Sequence, residues 1–381
     1  MKVPLLDLKA QYDTIRGETE RAVERVLTDQ QFVLGPVVDR FESEMRAYSG
    51  ARHAIGVASG SDALLLALMA LDVGPSDAVV TTPFTFFATA GSIVRTGARL
   101  VFADIDFATF NICPKAAGAA LADAARSARR LVLMPVHLYG RLAPMEELGA
   151  VAAAHEAAIV EDAAQALGAR GTSDPKRRAA GTFGALGALS FFPSKNLGAA
   201  GDAGMVLSID DSLGERVRML RAHGSVRRYV HDRVGVNSRL DALQAAILSV
   251  KLPHLDAWCE KRRERAAAYS KRFRAVGLAP SRLRVPENAG EAHVFHQYVI
   301  RAEHRDELRQ ALTARQIETQ VYYPVPLHLQ PCFAPLGFRS GQFPEAERAS
   351  RECLALPIYP EIGDDQLDHV VDTVAAFYRE R

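Results

Sequence analysis

From residue 50 to about 210 the chain alternates short β-rich apolar runs with Ala- and Leu-rich helical stretches, each separated by turn residues. That alternation is the mark of repeated βαβ units, and it confines the chain to a mostly parallel sheet covered by helices. Strands are predicted over 53–57, 78–82, 99–105, 131–136, 158–161, 188–192 and 205–208. Their continuous apolar character predicts burial on both faces. Helices are predicted over 61–71, 114–125 and 144–157. The last two open on Pro, which suits a first helical turn because its missing N–H would have no partner there. The first, SDALLLALMAL, is apolar nearly all round and is therefore predicted to be buried.

After Leu240 the pattern changes. LDALQAAILSVKL and the charged stretch 258–273 read as helices with no strand between them. The chain thus divides near residue 250 into a large unit, 1–250, and a small C-terminal α+β unit, 251–381. The N-terminal segment is a candidate to pack on the small unit. Within the latter, 294–300 and 318–323 read as extended, and 305–315, 344–354 and 364–378 as helices. The Pro-rich PVPLHLQPCFAPLGF is predicted to be loop.

Composition narrows the function classes. Lys and Arg number 46 against 45 Asp and Glu, a net charge of +1, so no bulk field draws the chain to nucleic acid or anionic lipid. The four cysteines are scattered without a CxxC pair, which supports neither a zinc cluster nor a disulfide framework, and no metal is expected. No apolar run reaches the roughly 18 residues of a membrane helix. The N-terminus interrupts its short apolar stretch with charges, unlike a secretory signal. A cytoplasmic protein is expected.

Four local features could carry chemistry. In IVEDAAQALGA a strand ends in Glu161 and Asp162, with Gln165 close behind, at the carboxyl edge where open parallel sheets bind ligands. An Asp there would equally serve as a helix cap. In SFFPSKNLGAAGDAG, Lys195 leaves a buried strand for a Gly-rich loop, where desolvation can turn an ammonium into a Schiff-base nucleophile. An exposed loop lysine is the plainer alternative. In VASGSDALLLA a strand runs through Gly60 and Ser61 straight into a helix, leaving N–H groups free to receive phosphate. Ser59 and Asp62 also stand at the spacing of a capping box. In PFTFFATA, Phe86 could stack on a planar ring or simply pack in the core.

A phosphate turn, a flat aromatic face, a carboxylate and a nucleophilic lysine are together what pyridoxal 5'-phosphate requires. Their order closely resembles the fold type I pyridoxal phosphate enzymes, and within them the DegT/DnrJ/StrS sugar aminotransferases. The resemblance is carried by QFVLGPVVDRFESE, SGSDALLLAL, PFTFFATA, PVHLYGRLAPMEEL, IVEDAAQALGA, SFFPSKNLGAAGDAG, RAHGSVRRYVHDRVGVNSRLDALQAAIL and YYPVPLHLQP, nearly the whole chain.

The resemblance implies the fold type I aminotransferase architecture, a large domain with a mostly parallel seven-stranded sheet between helices plus a small α+β domain. It makes Lys195 the Schiff-base lysine, Asp162 the partner of the pyridine nitrogen, and Gln165 the residue facing the cofactor's phenolic oxygen. Gly60, Ser61 and Ser190 match the phosphate contacts, and Phe86 the stacked aromatic. Asn237 matches a residue reaching the phosphate from a neighbouring subunit, which implies a homodimer with shared active sites. Tyr229, His231, Tyr323 and His328 fall in segments that border the sugar nucleotide in relatives. Ala203 stands where relatives usually carry Gly, so a loop less free to adopt positive φ is expected.

The implied reaction moves an amino group from L-glutamate to a nucleotide-linked keto sugar, with a dTDP-linked 3-keto-6-deoxyhexose the subgroup most resembled. A UDP-linked 3-keto sugar acid, a 4-keto sugar and a non-catalytic regulatory role stay open as alternatives. The dehydratases of the family carry His in place of the Schiff-base lysine, and Lys195 speaks against that branch. The basic runs 176–178 and 261–265 could guide a diphosphate or could be solvated faces.

Overall fold

Two helices precede the alternating region, α1 (Leu8–Asp29) and α2 (Pro36–Ser49). They lie outside the elements predicted from the sequence. In the computed structural model, which describes residues 1–381 except Ser173 and Arg228, the alternating region forms a seven-stranded sheet. Its strands are β1 (His53–Val57), β2 (Ala78–Thr81), β3 (Arg99–Phe102), β4 (Leu131–Leu133), β5 (Ala158–Asp162), β6 (Leu186–Ser190) and β7 (Gly204–Ser208). The order is β1-β7-β6-β5-β4-β2-β3. Only β7 runs antiparallel to its neighbours, so the mostly parallel sheet expected from the alternation is present.

Side chains alternate across the sheet as a period of two requires. Val79, Val132 and Val206 enter the core beneath one face, which also holds Leu64, Leu66 and Leu68. Val80 and Leu133 enter another with Leu121 and Leu148, and Met205 and Leu207 pack with Phe41 and Met45. The covering helices are α3 (Gly60–Ala70), α4 (Phe87–Arg95), α5 (Pro114–Ala124), α6 (Met145–Ala154) and α7 (Asp211–Leu220). Helix α3 buries Ala63 through Leu68 and Ala70, as its unbroken apolar sequence predicts.

A short hairpin, β8 (Ser225–Arg227) and β9 (Val230–His231), leads to α8 (Ala242–Lys251) and the long α9 (Leu255–Ala275). Beyond these, β10 (Leu283–Arg284), β11 (Tyr298–Ala302) and β12 (Cys353–Leu356) make an antiparallel three-stranded sheet. Helices α10 (Arg305–Ala314), α11 (Pro344–Glu352) and α12 (Asp364–Arg379) complete this part. Its core gathers Tyr269, Tyr298, Ile300, Leu308, Leu354 and Val370. Val3 joins the same core, with its N–H on the Gln316 carbonyl and its own carbonyl receiving Glu318 N–H, both at 2.9 Å.

Some local expectations change. The segment 318–323 pairs with β12 through an isolated bridge between Gln320 and Ala355 and forms no strand. The Pro-rich segment winds into 3-10 turns at Leu327–Leu329 and Pro331–Leu336. Arg262, inside the basic run 261–265, is not a solvated residue. It is buried, donates to the carbonyls of Phe295 and Ile358, and burial lowers its pKa to about 10. Ala203 is buried and needs no positive φ, so the missing Gly costs the loop nothing there. Among the described residues no helix is long and apolar enough to cross a membrane.

Because β1, β5 and β6 point the same way, Val57, Asp162 and Ser190 finish at one edge of the sheet. That edge is where a doubly wound sheet opens its crevice.

Candidate active site

The chain leaves β1 and turns directly into α3. Ser59 caps the helix, its hydroxyl oxygen receiving Asp62 N–H at 3.1 Å. Among the described residues no acceptor takes the N–H groups of Gly60 and Ser61, and the helix dipole adds to their pull on an anion. A Cβ on Gly60 would fall 2.7 Å from that of Ser190, so only Gly lets the turn after β1 sit against the end of β6. Two candidate phosphate contacts from distant parts of the sequence are thereby joined.

Asp162 closes β5 with its side chain 5% exposed. One carboxylate oxygen accepts the Thr89 hydroxyl at 2.7 Å and the other accepts Ala164 N–H at 3.2 Å. Burial raises its pKa, and Thr89, Ala164 N–H and the charge of Lys195 work against that rise. A carboxylate so placed gains from a cationic partner. No helix follows Asp162, so the capping alternative reduces to a tight turn onto Ala164.

The amide of Gln165 is oriented by its surroundings. Its Oε1 accepts Tyr139 N–H at 2.7 Å, which turns Nε2 toward the Tyr323 hydroxyl at 3.2 Å. Phe86 stands as N-cap of α4, 6.3 Å from the Tyr323 ring and 56% exposed, with a face free for a planar ring.

Lys195 lies in the turn after β6, its N–H on the Phe192 carbonyl at 2.8 Å. The turn closes tightly, since a Cβ on Gly198 would meet Pro193 O at 2.2 Å. Among the described residues no side chain or carbonyl accepts a hydrogen bond from its Nζ. Burial lowers its pKa to about 8 against the opposing pull of Asp162. His296, buried nearby with Nδ1 unpartnered, is held well below the ordinary imidazole range by burial and by the Lys195 charge.

The remaining sequence candidates do not join this cluster within one chain. Tyr229 and His231 lie exposed on the β8–β9 hairpin, His231 Nδ1 facing the His223 carbonyl at 3.0 Å. Asn237 is also exposed, while its neighbour Ser238 receives Ala58 N–H at 3.1 Å, beside the α3 turn. His328 is buried, with Nε2 on Glu347 at 3.0 Å.

No local sequence signal marks Thr89 or the role of Glu161. Glu161 faces away from Asp162 and is fully buried. It accepts the N–H groups of Gly181, Phe183 and Gly184 and meets His137 Nε2 at 2.9 Å. His137 Nδ1 accepts Ala143 N–H, so Nε2 carries the ring proton and donates it. Four donors on one carboxylate rivet the segment before β6 to β5. Glu161→Gln, which swaps an acceptor for a donor there, is expected to cost about 2–3 kcal/mol, read as a lowered thermal midpoint. An unchanged midpoint would contradict the clamp.

The set fits pyridoxal phosphate in its donor chemistry: unclaimed N–H groups at a helix start for phosphate, an unbonded amine for the aldehyde, a buried carboxylate for a protonated ring nitrogen, and an open aromatic face.

The sequence model of one family, described as the DegT/DnrJ/EryC1/StrS aminotransferase family, matches residues 13–375. The chain is 50% identical over its full length to a Geobacillus stearothermophilus protein named pleiotropic regulatory protein, covering 99% of it. It is 41% identical to the UDP-N-acetyl-3-dehydro-alpha-D-glucosamine 3-aminotransferase of Acidithiobacillus ferrooxidans, over 98% of this chain and 97% of that one. It is 43% identical to the dTDP-3-amino-3,4,6-trideoxy-alpha-D-glucose transaminase of Streptomyces venezuelae, over 98% and 95%. Among solved structures, S. venezuelae DesV in complex with a ketimine intermediate superposes with a TM-score of 0.92 at 42% identity, over 100% of this chain and 99% of that one. Bacillus subtilis NtdA with bound cofactor PMP gives 0.89 at 27% identity, over 99% and 85%.

Proposed function

The chain belongs to the DegT/DnrJ/EryC1/StrS aminotransferase family and is an aminotransferase, and from that premise we propose that it uses pyridoxal 5'-phosphate to move the amino group of L-glutamate onto a nucleotide-linked keto sugar. The observation that carries this reading is the unbonded amine of Lys195, depressed to about 8 and within the field of Asp162 at the carboxyl edge of the sheet.

Pyridoxal phosphate supplies an electron sink that lets a proton leave the carbon bearing the amine. Gly60 and Ser61 N–H groups and the Ser190 hydroxyl bind the phosphate. Asp162 holds a proton at the ring nitrogen by charge attraction, and Gln165 Nε2 donates to the phenolic oxygen. Phe86 packs on the ring face. Lys195 Nζ would tether the aldehyde and, as a free amine, would hold and move a proton between the reacting carbons. Asn237 reaches the phosphate of a neighbouring protomer, which makes the working unit a homodimer with shared sites. Tyr229, His231, Tyr323 and His328 border the sugar nucleotide. Of these, His328 acts from behind, because its Nε2 is already engaged by Glu347. The two packed parts, 1–250 and 251–381, form the walls of the crevice.

The preferred acceptor is a dTDP-linked 3-keto-6-deoxyhexose, aminated at carbon 3. The 43% identity to a transaminase named for a dTDP-3-amino sugar supports it. A UDP-linked 3-keto sugar has support of its own in the 41% relative named for one. The test is an assay of both keto sugars with L-glutamate, following 2-oxoglutarate. Turnover of the dTDP sugar is expected, and turnover of a 4-keto sugar alone overturns the assigned position. A visible spectrum that does not respond to L-glutamate would favour a binding role, as the name of the 50% relative raises.

The depressed amine gives a pH dependence. Only neutral Nζ attacks an aldehyde, so capture of pyridoxal phosphate by the apoprotein should speed up about tenfold per pH unit below 8 and level off above it. An ordinary lysine would keep accelerating up to about 10.5. Stopped-flow absorbance reads the difference. The same shift affects stability: the cost of burying the ammonium is full below about 8 and fades as pH rises toward 10.5.

A further inference from the structure

We propose that Thr85 and Thr89 form a directed hydroxyl relay that keeps Asp162 ionised and aimed at the ring nitrogen, with Thr89 as a positioning residue. This inference rests on the reading of Asp162 as the partner of that nitrogen.

Thr89 donates to Asp162 Oδ2 at 2.7 Å, and Thr85 Oγ1 lies 3.1 Å from Thr89 Oγ1. All three side chains are buried, Thr85 at 2% and Thr89 at 0% exposure. A hydroxyl has one proton. With that of Thr89 spent on the carboxylate, the contact between the two threonines has one possible direction, from Thr85 to Thr89. Each bond polarises the next, and in a buried setting such a chain stabilises the charge at its end. The only other hydrogen-bond donor on the Asp162 carboxylate among the described residues is Ala164 N–H, a backbone group. The charges and titratable groups that act on Asp162 are Lys195, His137 and Tyr323.

The local sequence explains the arrangement. Phe86 is the N-cap of α4, so Thr85 precedes the helix and Thr89 lies in its first turn. The turn that offers Phe86 to one face of a ring thus also presents Thr89 to the carboxylate at the ring's edge. A hydroxyl suits this place better than an ammonium or guanidinium, which would neutralise Asp162 and remove its attraction for a protonated ring nitrogen. It also requires no counter-charge of its own.

The test compares the affinity of apoprotein for pyridoxal phosphate with that for 1-deazapyridoxal phosphate, in which carbon replaces the ring nitrogen. Wild type should prefer pyridoxal phosphate, and Asp162→Ala should erase the preference. Thr89→Val, which keeps the volume and removes the hydroxyl, should lose roughly tenfold in affinity for pyridoxal phosphate and nothing for the deaza analogue. Thr89→Ser should restore the preference, and Thr85→Val should lose a smaller share, about threefold. Equal losses for both ligands in Thr89→Val, or no loss, overturn the relay. A wild type without any preference, or an Asp162→Ala that keeps it, overturns the role of Asp162 itself, and so separates the two failures. Should Thr89→Val fold poorly, Thr85→Val and Thr89→Ser carry the same comparison.

Discussion

Lys195→Ala is expected to abolish transamination, with turnover falling by about 10⁴-fold or more, because the proposed function asks one nitrogen to do two tasks. As a tether, Nζ must be neutral to bond the aldehyde, and burial brings its pKa to about 8, where a useful fraction is neutral near physiological pH. As a base, it must sit at the reacting carbon when released, and the tight turn through Gly198 holds it at the end of β6. Neither task has a substitute close by. His296 is kept neutral by burial and the Lys195 charge, but an imidazole cannot replace the amine as tether. Borohydride reduction of the wild-type holoprotein, followed by digestion, should place the label on Lys195 alone. Label on another side chain, or a variant that turns over at the wild-type rate, would contradict the assignment.

Asp162→Asn should cost about 10²- to 10³-fold in kcat with a much smaller change in KM for the sugar nucleotide. The side chain keeps its size, and its oxygen can still accept from Thr89, so the fold should be undisturbed. What goes is the charge. An amide cannot hold a proton on a pyridine nitrogen against the cost of burial, and the electron sink weakens where negative charge accumulates. Steady-state kinetics with both substrates, beside a thermal melt, separates this from unfolding. A KM effect without a kcat effect would show that Asp162 only binds.

Much of the fold was legible because the relevant signals are local. Seven apolar runs bounded by turn residues predicted seven strands, each within a few residues of where it lies, since a strand covered on both faces is recognised without its partner; the edge strand β3, with Arg99 exposed, departs from that burial. Gly60, Asp162 and Lys195 stood out because each sits where a run of one character stops. Residues whose work is done by tertiary contact gave no such signal. Thr89 meets Asp162 across 73 positions, and Glu161 clamps N–H groups 20 to 23 positions on. Within a basic run, Arg262 looks like any solvated arginine until α9 turns it inward onto two carbonyls. The long polar α1 lacks the apolar density that marks the sheet helices, and it passed unassigned.

The antiparallel β7 has a consequence for how the protein is made. β1 joins the sheet only through this strand, which also pairs with β6 and is the last of the seven to be synthesised. Until Gly204 to Ser208 leave the ribosome, the first strand has no neighbour within the sheet, and the turn at Gly60 is held beside the end of β6 by α3 alone. The anion pocket proposed between Gly60 and Ser190 is therefore complete only after this long-range closure, a kind of contact that slows folding.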